Sequence, residues 1–164
     1  MSRKSDPFCD IKSIQTQIYY ETKYMNVLYN LYPVVKGHTL IVPKRHVKNL
    51  NELSEKEAVD LIKTIRYVTP KLLKAYNADS SYNLVAQVGP YSGRSIEHLH
   101  IHIIPRNKYD MYSDYNDRLY ADLRKFELEK LARHKVKPEV EKLRKIFNYK
   151  PSAYAIEQKD KKTK

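Results

Sequence analysis

The 164-residue sequence is poor in cysteine and glycine, with one of the former, Cys9, and three of the latter. A single thiol excludes an internal disulfide framework and fits a reducing compartment. No apolar run approaches the roughly 20 residues that span a bilayer. The opening Met1-Ser2-Arg3-Lys4-Ser5-Asp6 lacks the apolar segment of a secretory signal. These absences point to a cytoplasmic or nuclear chain with no membrane partner. Acidic residues are also scarce, 19 against 31 Lys and Arg, for a net charge of +12. The imbalance is local: from Arg124 to Lys164 there are 14 basic and 6 acidic residues, against 17 and 13 in the first 123. The plain reading of that end is a solvated helical face with a frayed tail. The alternative is a surface for nucleic acid, anionic lipid or an acidic partner. A hydrophobic fraction of 41% still provides for one packed core.

Within that chain, Gln17 to Asn30 reads as a hairpin with strands near 17–20 and 25–31, and His38-Thr39-Leu40-Ile41-Val42-Pro43 as a third strand. Ser54-Glu55-Lys56-Glu57 has capping-box spacing. Ala58, Leu61, Ile62, Ile65, Val68, Leu72 and Tyr76 follow at helical intervals, which predicts a long amphipathic helix over 55–76 with a kink or break before Pro70. Tyr82 to Val88 reads as a strand, and residues 97–104 as another that stops at Pro105. Residues 107–116 read as a polar loop, and Leu119 to Phe147 as two helices split at Pro138. Residues 157–164 read as disordered. Short turns between strands, with one long helix inserted, favour an α+β fold with a mainly antiparallel five-stranded sheet and a C-terminal helical extension. The expected division is a domain over 1–125 and a basic extension over 126–164.

Three of the six histidines fall in His98-Leu99-His100-Ile101-His102. On a strand the histidines share one face, while Leu99, Ile101 and Ile103 take the other and enter a core. Three chemistries compete. An inert polar face uses imidazole poorly. A metal site is limited by geometry: at about 3.3 Å per residue the outer two Cα atoms lie about 13 Å apart, so at most two of the three share an ion. A third ligand would come from His38 or His46, and the lone Cys9 adds little. The remaining reading is nucleophilic catalysis, in which a neutral imidazole attacks phosphorus and its other ring nitrogen is held by an acceptor. Two of the three glycines lie just upstream, in Gln87-Val88-Gly89-Pro90-Tyr91-Ser92-Gly93-Arg94-Ser95. Such a turn frees backbone N–H groups to face an anion, with Arg94 and Ser95 as further donors. Phosphoryl or nucleotidyl transfer is the reaction class that follows.

The run His98-Leu99-His100-Ile101-His102-Ile103-Ile104 resembles the signature of the histidine-triad superfamily. Residues 30–38, ending in Gly37-His38, resemble its ribose-binding strand end and turn, and residues 87–95 its phosphate loop. Pro105-Arg106 and Asp117-Arg118-Leu119-Tyr120 resemble the fragile-histidine-triad branch, which hydrolyses dinucleoside polyphosphates. The resemblance covers about residues 8–125. It implies cleavage of diadenosine tri- or tetraphosphate to AMP plus ADP or ATP, with His100 as nucleophile. It also implies that His98 and His102 orient it or contact the phosphate, and that Gln87 bonds the phosphate. Gly93, Arg94, Ser95 and Ile96 would line the phosphates, Asn30 would hold the ribose, and Phe8, Ile11 and Leu28 would form the adenine pocket. His38 would support the triad. No tightly bound cofactor and no protein metal site are implied, magnesium travelling with the substrate; a homodimer is. Val88 stands where that branch has Asp, and Arg94 replaces a Gln, which would set a cation among the phosphates. Alternatives are a Hint-like phosphoramidase acting on AMP-lysine or acyl-adenylates, an aprataxin-like deadenylase, or an RNA-binding protein using the basic tail.

Overall fold

The computed structural model describes residues 6–78, 80–107 and 136–151. A short helix α1 (Ile11–Ile14) leads into strands β1 (Ile18–Glu21), β2 (Met25–Tyr29) and β3 (Thr39–Pro43). A 3-10 turn at Leu50–Glu52 precedes the long helix α2 (Glu55–Ala75), followed by β4 (Ser81–Ala86), β5 (Ile101–Arg106) and helix α3 (Val136–Ile146). The expected polar loop beyond Asn107, the segment 117–120, the first of the two C-terminal helices and the tail over 157–164 lie outside the described residues.

All neighbouring strands are antiparallel, in the order β1-β2-β3-β5-β4. The fold is α+β with a five-stranded sheet, as its alternation of short strands and one long helix predicts. The first hairpin closes against α2, because Asp60 accepts from the Thr22 hydroxyl at 2.6 Å and from the Tyr24 N–H at 3.1 Å. The capping box forms: Glu57 N–H donates to Ser54 Oγ and Ser54 N–H to Glu57 Oε2. Arg45 then grips the same carboxylate with Nε and Nη2, at 2.9 and 2.7 Å. Leu61, Val68 and Leu72 bury one stripe of α2 on the sheet, against Val27, Ile41, Leu99, Ile101 and Ile103.

Three expectations are corrected. Pro70 does not break α2, which runs unbroken from Glu55 to Ala75. The last strand begins at Ile101, not residue 97, and passes through Pro105 to Arg106. Pro105 is tolerated because β3 pairs with β5 only as far as Ile103, so beyond it β5 has β4 as its one neighbouring strand among the described residues. Pro138 splits nothing: it lies near the start of α3, where first-turn N–H groups have no intrahelical acceptor. Val140 and Leu143 of α3, with the following Phe147, are buried in the same core as Tyr19 and Val68. Its cations also work inward. Lys142 Nζ donates to Ala75 O at 2.8 Å, and Arg144 donates to Ile18 O and Gln15 O at 2.8 and 2.9 Å.

Candidate active site

Because β5 starts at Ile101, His98 and His100 lie on the segment that leads into it. That segment is anchored where Leu99 N–H donates to Val47 O at 2.7 Å and the Leu99 side chain enters the core. All three histidines are buried, yet only His100 and His102 line the main cavity, a space of about 690 Å³.

Hydrogen bonding fixes their protons. His100 Nδ1 lies 2.7 Å from His98 O, a carbonyl that only accepts, so Nδ1 carries the hydrogen and Nε2 keeps its lone pair. His38 lies behind His102. Val34 N–H donates to His38 Nδ1 at 3.2 Å, so His38 holds its proton on Nε2 and gives it to His102 Nδ1 at 2.9 Å. The His102 proton is thereby set on Nε2, a buried atom with no partner among the described residues. A lone pair and a free N–H therefore sit side by side on rings 5.0 Å apart. Burial pushes the imidazoles of His38, His100 and His102 below their ordinary pKa, His102 to about 3, so these three are neutral near pH 7.

The glycine-bearing loop borders these rings. Gln87 Nε2 donates to Ser92 O at 3.1 Å, and Gln87, Ser92, Gly93, Ser95 and Ile96 line the cavity. Gly93 has φ +83, and a side chain there would meet Gln87 Nε2 at 3.3 Å, so this turn suits glycine. Asn30 also lines the cavity; its Oδ1 accepts from Tyr32 N–H and its Nδ2 lies 3.3 Å from the His38 ring nitrogens. Phe8 lines the opposite side, 5.5 Å from the His100 ring.

Four expected positions are placed elsewhere. Arg94 does not line the cavity: its guanidinium donates to Lys48 O at 2.8 Å and pairs with Glu97 at 3.5 Å, so no cation enters the loop from it. Ile11 is 44% exposed, and Ile14, one helical turn later, takes the inward position. Leu28 is fully buried beneath the cavity with Ile14, Ile18 and Leu40. His98 faces away, its Nε2 donating to Pro43 O and its Nδ1 lying against Asp6 Oδ2, both at 2.8 Å. Sequence reasoning did not single out Ser13, Gln17, Tyr32 or Tyr91, which also line the cavity. The apolar spacing Ile11, Ile14, Ile18 was the available hint for the first two.

Behind His98 a second cluster forms. Asp6, Cys9, His46 and His98 bring one potential ligand atom each to within 4.8 Å of one another. Asp6 Oδ2 is the hub, at 2.8 Å from both His46 Nδ1 and His98 Nδ1 and 3.0 Å from Cys9 Sγ. Partial burial raises the Asp6 carboxyl, but hydrogen bonds from Cys9, His98, Phe8 N–H and His46 outweigh it and hold the group well below the carboxylate range. The same carboxylate raises the Cys9 thiol to about 11.

The comparisons with known proteins agree with this geometry. The HIT domain family model matches residues 12–109. The chain is 38% identical over 114 residues to a bis(5'-nucleosyl)-tetraphosphatase [asymmetrical] of Schizosaccharomyces pombe, covering 70% of this chain and 61% of that protein. It is 34% identical over 133 residues to a bis(5'-adenosyl)-triphosphatase of Dictyostelium discoideum, covering 81% and 87%. Among solved structures, a Plasmodium falciparum diadenosine triphosphate hydrolase in complex with Cyclomarin A superimposes with a TM-score of 0.67 at 22% identity, covering 84% of this chain and 80% of that one. The match thus spans about three fifths of the length of the fission yeast relative. With His38, His100, His102 and the glycine-bearing loop gathered around one cavity, and a family model that matches residues 12–109, the chain belongs to the HIT domain family.

Proposed function

We propose that this chain hydrolyses dinucleoside polyphosphates, diadenosine tri- or tetraphosphate, to AMP and ADP or ATP. The observation that carries the reading is the proton arrangement: a His100 Nε2 lone pair beside a His102 Nε2–H, on two residues that line a cavity bordered by a glycine-bearing loop. His100 Nε2 would form a bond to the α-phosphorus while the bond from phosphorus to the bridging oxygen breaks. The departing nucleotide takes the electron pair. The His102 N–H and the Gln87 amide would meet the charge that develops on the phosphate oxygens. Water then attacks the nucleotidyl-histidine, the phosphorus–nitrogen bond breaks, and AMP and the free imidazole are restored. The names of the relatives support this substrate class. The test is His100→Ala assayed with both substrates, together with mass spectrometry of acid-quenched wild type. Loss of turnover and an AMP-sized adduct on the wild type are expected; near wild-type turnover by the variant refutes the assignment. A Hint-like phosphoramidase would instead prefer AMP-lysine in the same assay.

Two further features belong to this reading. The Asp6, Cys9, His46 and His98 cluster supports a bound zinc ion, against the expectation that the chain has no metal site. A carboxylate, a thiolate and two imidazoles are a neutralising donor set for Zn²⁺. The Pro43 carbonyl, by holding the His98 Nε2 proton, leaves Nδ1 to coordinate. Such an ion would stiffen the segment behind His100 and supply no reacting group. Second, β4 lies at the end of the strand order among the described residues and exposes Tyr82 and Leu84 at 43% and 48%. Tyr82 borders a groove with Ile65, Thr69 and Leu73 of α2. Strand edge and helix together support a homodimer formed there. The basic tail is kept as a site for nucleic acid or an acidic partner. No described helix is long and apolar enough to cross a membrane.

A further inference from the structure

Next to the histidines and the loop the cavity has an apolar region, where Phe8, Ile14, Leu40 and Ile96 form a lining that also carries Gln17. Gln17 is only 5% exposed. Its Nε2 has one long hydrogen bond, 3.4 Å to Ser13 O, and among the described residues its Oε1 has no partner. An amide oxygen left without a protein donor beside an apolar lining is a ready acceptor for an N–H that a ligand brings. An apolar slot suits a purine ring. With Nε2 turned to Ser13, the open oxygen would welcome an exocyclic amine and repel a carbonyl at the same place.

Gln17 stands on the turn between α1 and β1, and that turn is held from outside by α3. The two Arg144 donors reach the carbonyls of Gln15 and Ile18, which flank Gln17 in sequence. The guanidinium fork therefore restrains the backbone from which the amide projects. We propose that Gln17 selects the adenine base through its 6-amino group, and that Arg144 is a positioning residue for Gln17. This rests on the nucleotide-binding reading above, but not on hydrolysis.

The test is equilibrium binding of AMP and of purine riboside monophosphate, which lacks the amine, to the full chain, with GMP as a third ligand. Wild type is expected to bind AMP about tenfold more tightly than purine riboside monophosphate, the worth of one hydrogen bond. GMP should bind more weakly still. Gln17→Leu should level AMP and purine riboside monophosphate to within about twofold. Gln17→Glu, which keeps a side-chain acceptor, should retain the preference. Arg144→Met should lose part of the preference and raise KM for diadenosine triphosphate several-fold with kcat within about threefold, and Arg144→Lys should restore part of both. A merely structural arginine would lower Tm and leave the AMP preference intact. Wild type without an AMP preference overturns the proposal, as does a folded Gln17→Leu protein that keeps it. If Gln17→Leu fails to fold, the wild-type comparison and Arg144→Met decide. Failure of the hydrolase reading would look different: selective AMP binding with no turnover of any dinucleotide.

Discussion

His38→Ala tests the proton chain most directly. The ring it removes is 1% exposed. The substitution leaves the Val34 N–H and His102 Nδ1 unpaired beside a new void. An unsatisfied buried polar group costs about 1–3 kcal/mol, and a void adds to it, so a fall of about 2–4 kcal/mol in stability is expected. The kinetic effect is separate. Without the His38 N–H to occupy Nδ1, His102 can hold its proton on either nitrogen and no longer keeps a donor fixed on Nε2 beside the His100 ring. Removing a preorganised donor outright costs about 10²–10³ in kcat, which is the expectation for His102→Ala. Loosening it should cost about one hydrogen bond, near tenfold. The decisive protein is the double variant. If His38 acts only through His102, His38→Ala/His102→Ala should match His102→Ala within about twofold in kcat. The assay is chromatographic release of AMP and ADP from saturating diadenosine triphosphate, at a temperature where melting curves show every variant folded. A double variant a further tenfold slower would refute the relay.

Acid should destabilise the fold through the same rings. The folded pKa of His102 is about 3, below its ordinary 6.5, so between these values the unfolded chain binds a proton that the folded chain does not. Stability should fall as pH drops through that window, by up to about 1.4 kcal/mol per pH unit for this group, and His102→Asn should flatten the slope seen in denaturant titrations. Because the His100 pKa is also lowered, the acid limb of kcat/KM should lie below pH 6.5; a limb above that value would contradict a neutral buried nucleophile. Zinc should bind the full chain and raise Tm, and Cys9→Ser/His46→Ala should abolish both effects, read by metal analysis after dialysis and by melting curves. An unchanged Tm and no retained zinc in wild type would remove the metal from the reading. Leu84→Lys should shift a dimer to monomer in light scattering, whereas a wild type already monomeric at high micromolar concentration would dismiss the β4 interface. Arg94→Ala should change kcat less than threefold, since the guanidinium is spent on Lys48 O and Glu97; a hundredfold loss would mean that it turns inward on substrate.

What the sequence made legible was local. Ser54 and Glu57 announce the α2 start because a capping box is complete within four residues, and the β1–β2 hairpin is equally self-contained. His100 and His102 could be assigned to a reactive face because their spacing alone sets their side. Long-range partners were not legible. Nothing near Asp6 in sequence says that it meets His98, 92 residues away, and nothing near Arg144 says that it spans the turn at Gln15 and Ile18. Two of the three misplaced boundaries share one cause. Pro105 and Pro138 were read as breakers, but each occupies a position where a missing N–H costs nothing, and that depends on which neighbours the fold supplies. Ile11 and Ile14 are chemically alike, and only the docking of α1 decides between them.

The acceptor that orients His100 is a main-chain oxygen, that of His98. A side-chain acceptor can be lost by a single codon change, whereas a carbonyl persists whatever residue carries it. Displacing it would require moving a backbone pinned by the Leu99 N–H to Val47 O bond and by the buried Leu99 side chain. The alignment of His100, the proposed nucleophile, is thereby insulated from mutation at position 98. Selection can spend the imidazole there on the company of Asp6, Cys9 and His46 without touching the reacting atom, so one residue serves two neighbourhoods that are free to diverge separately.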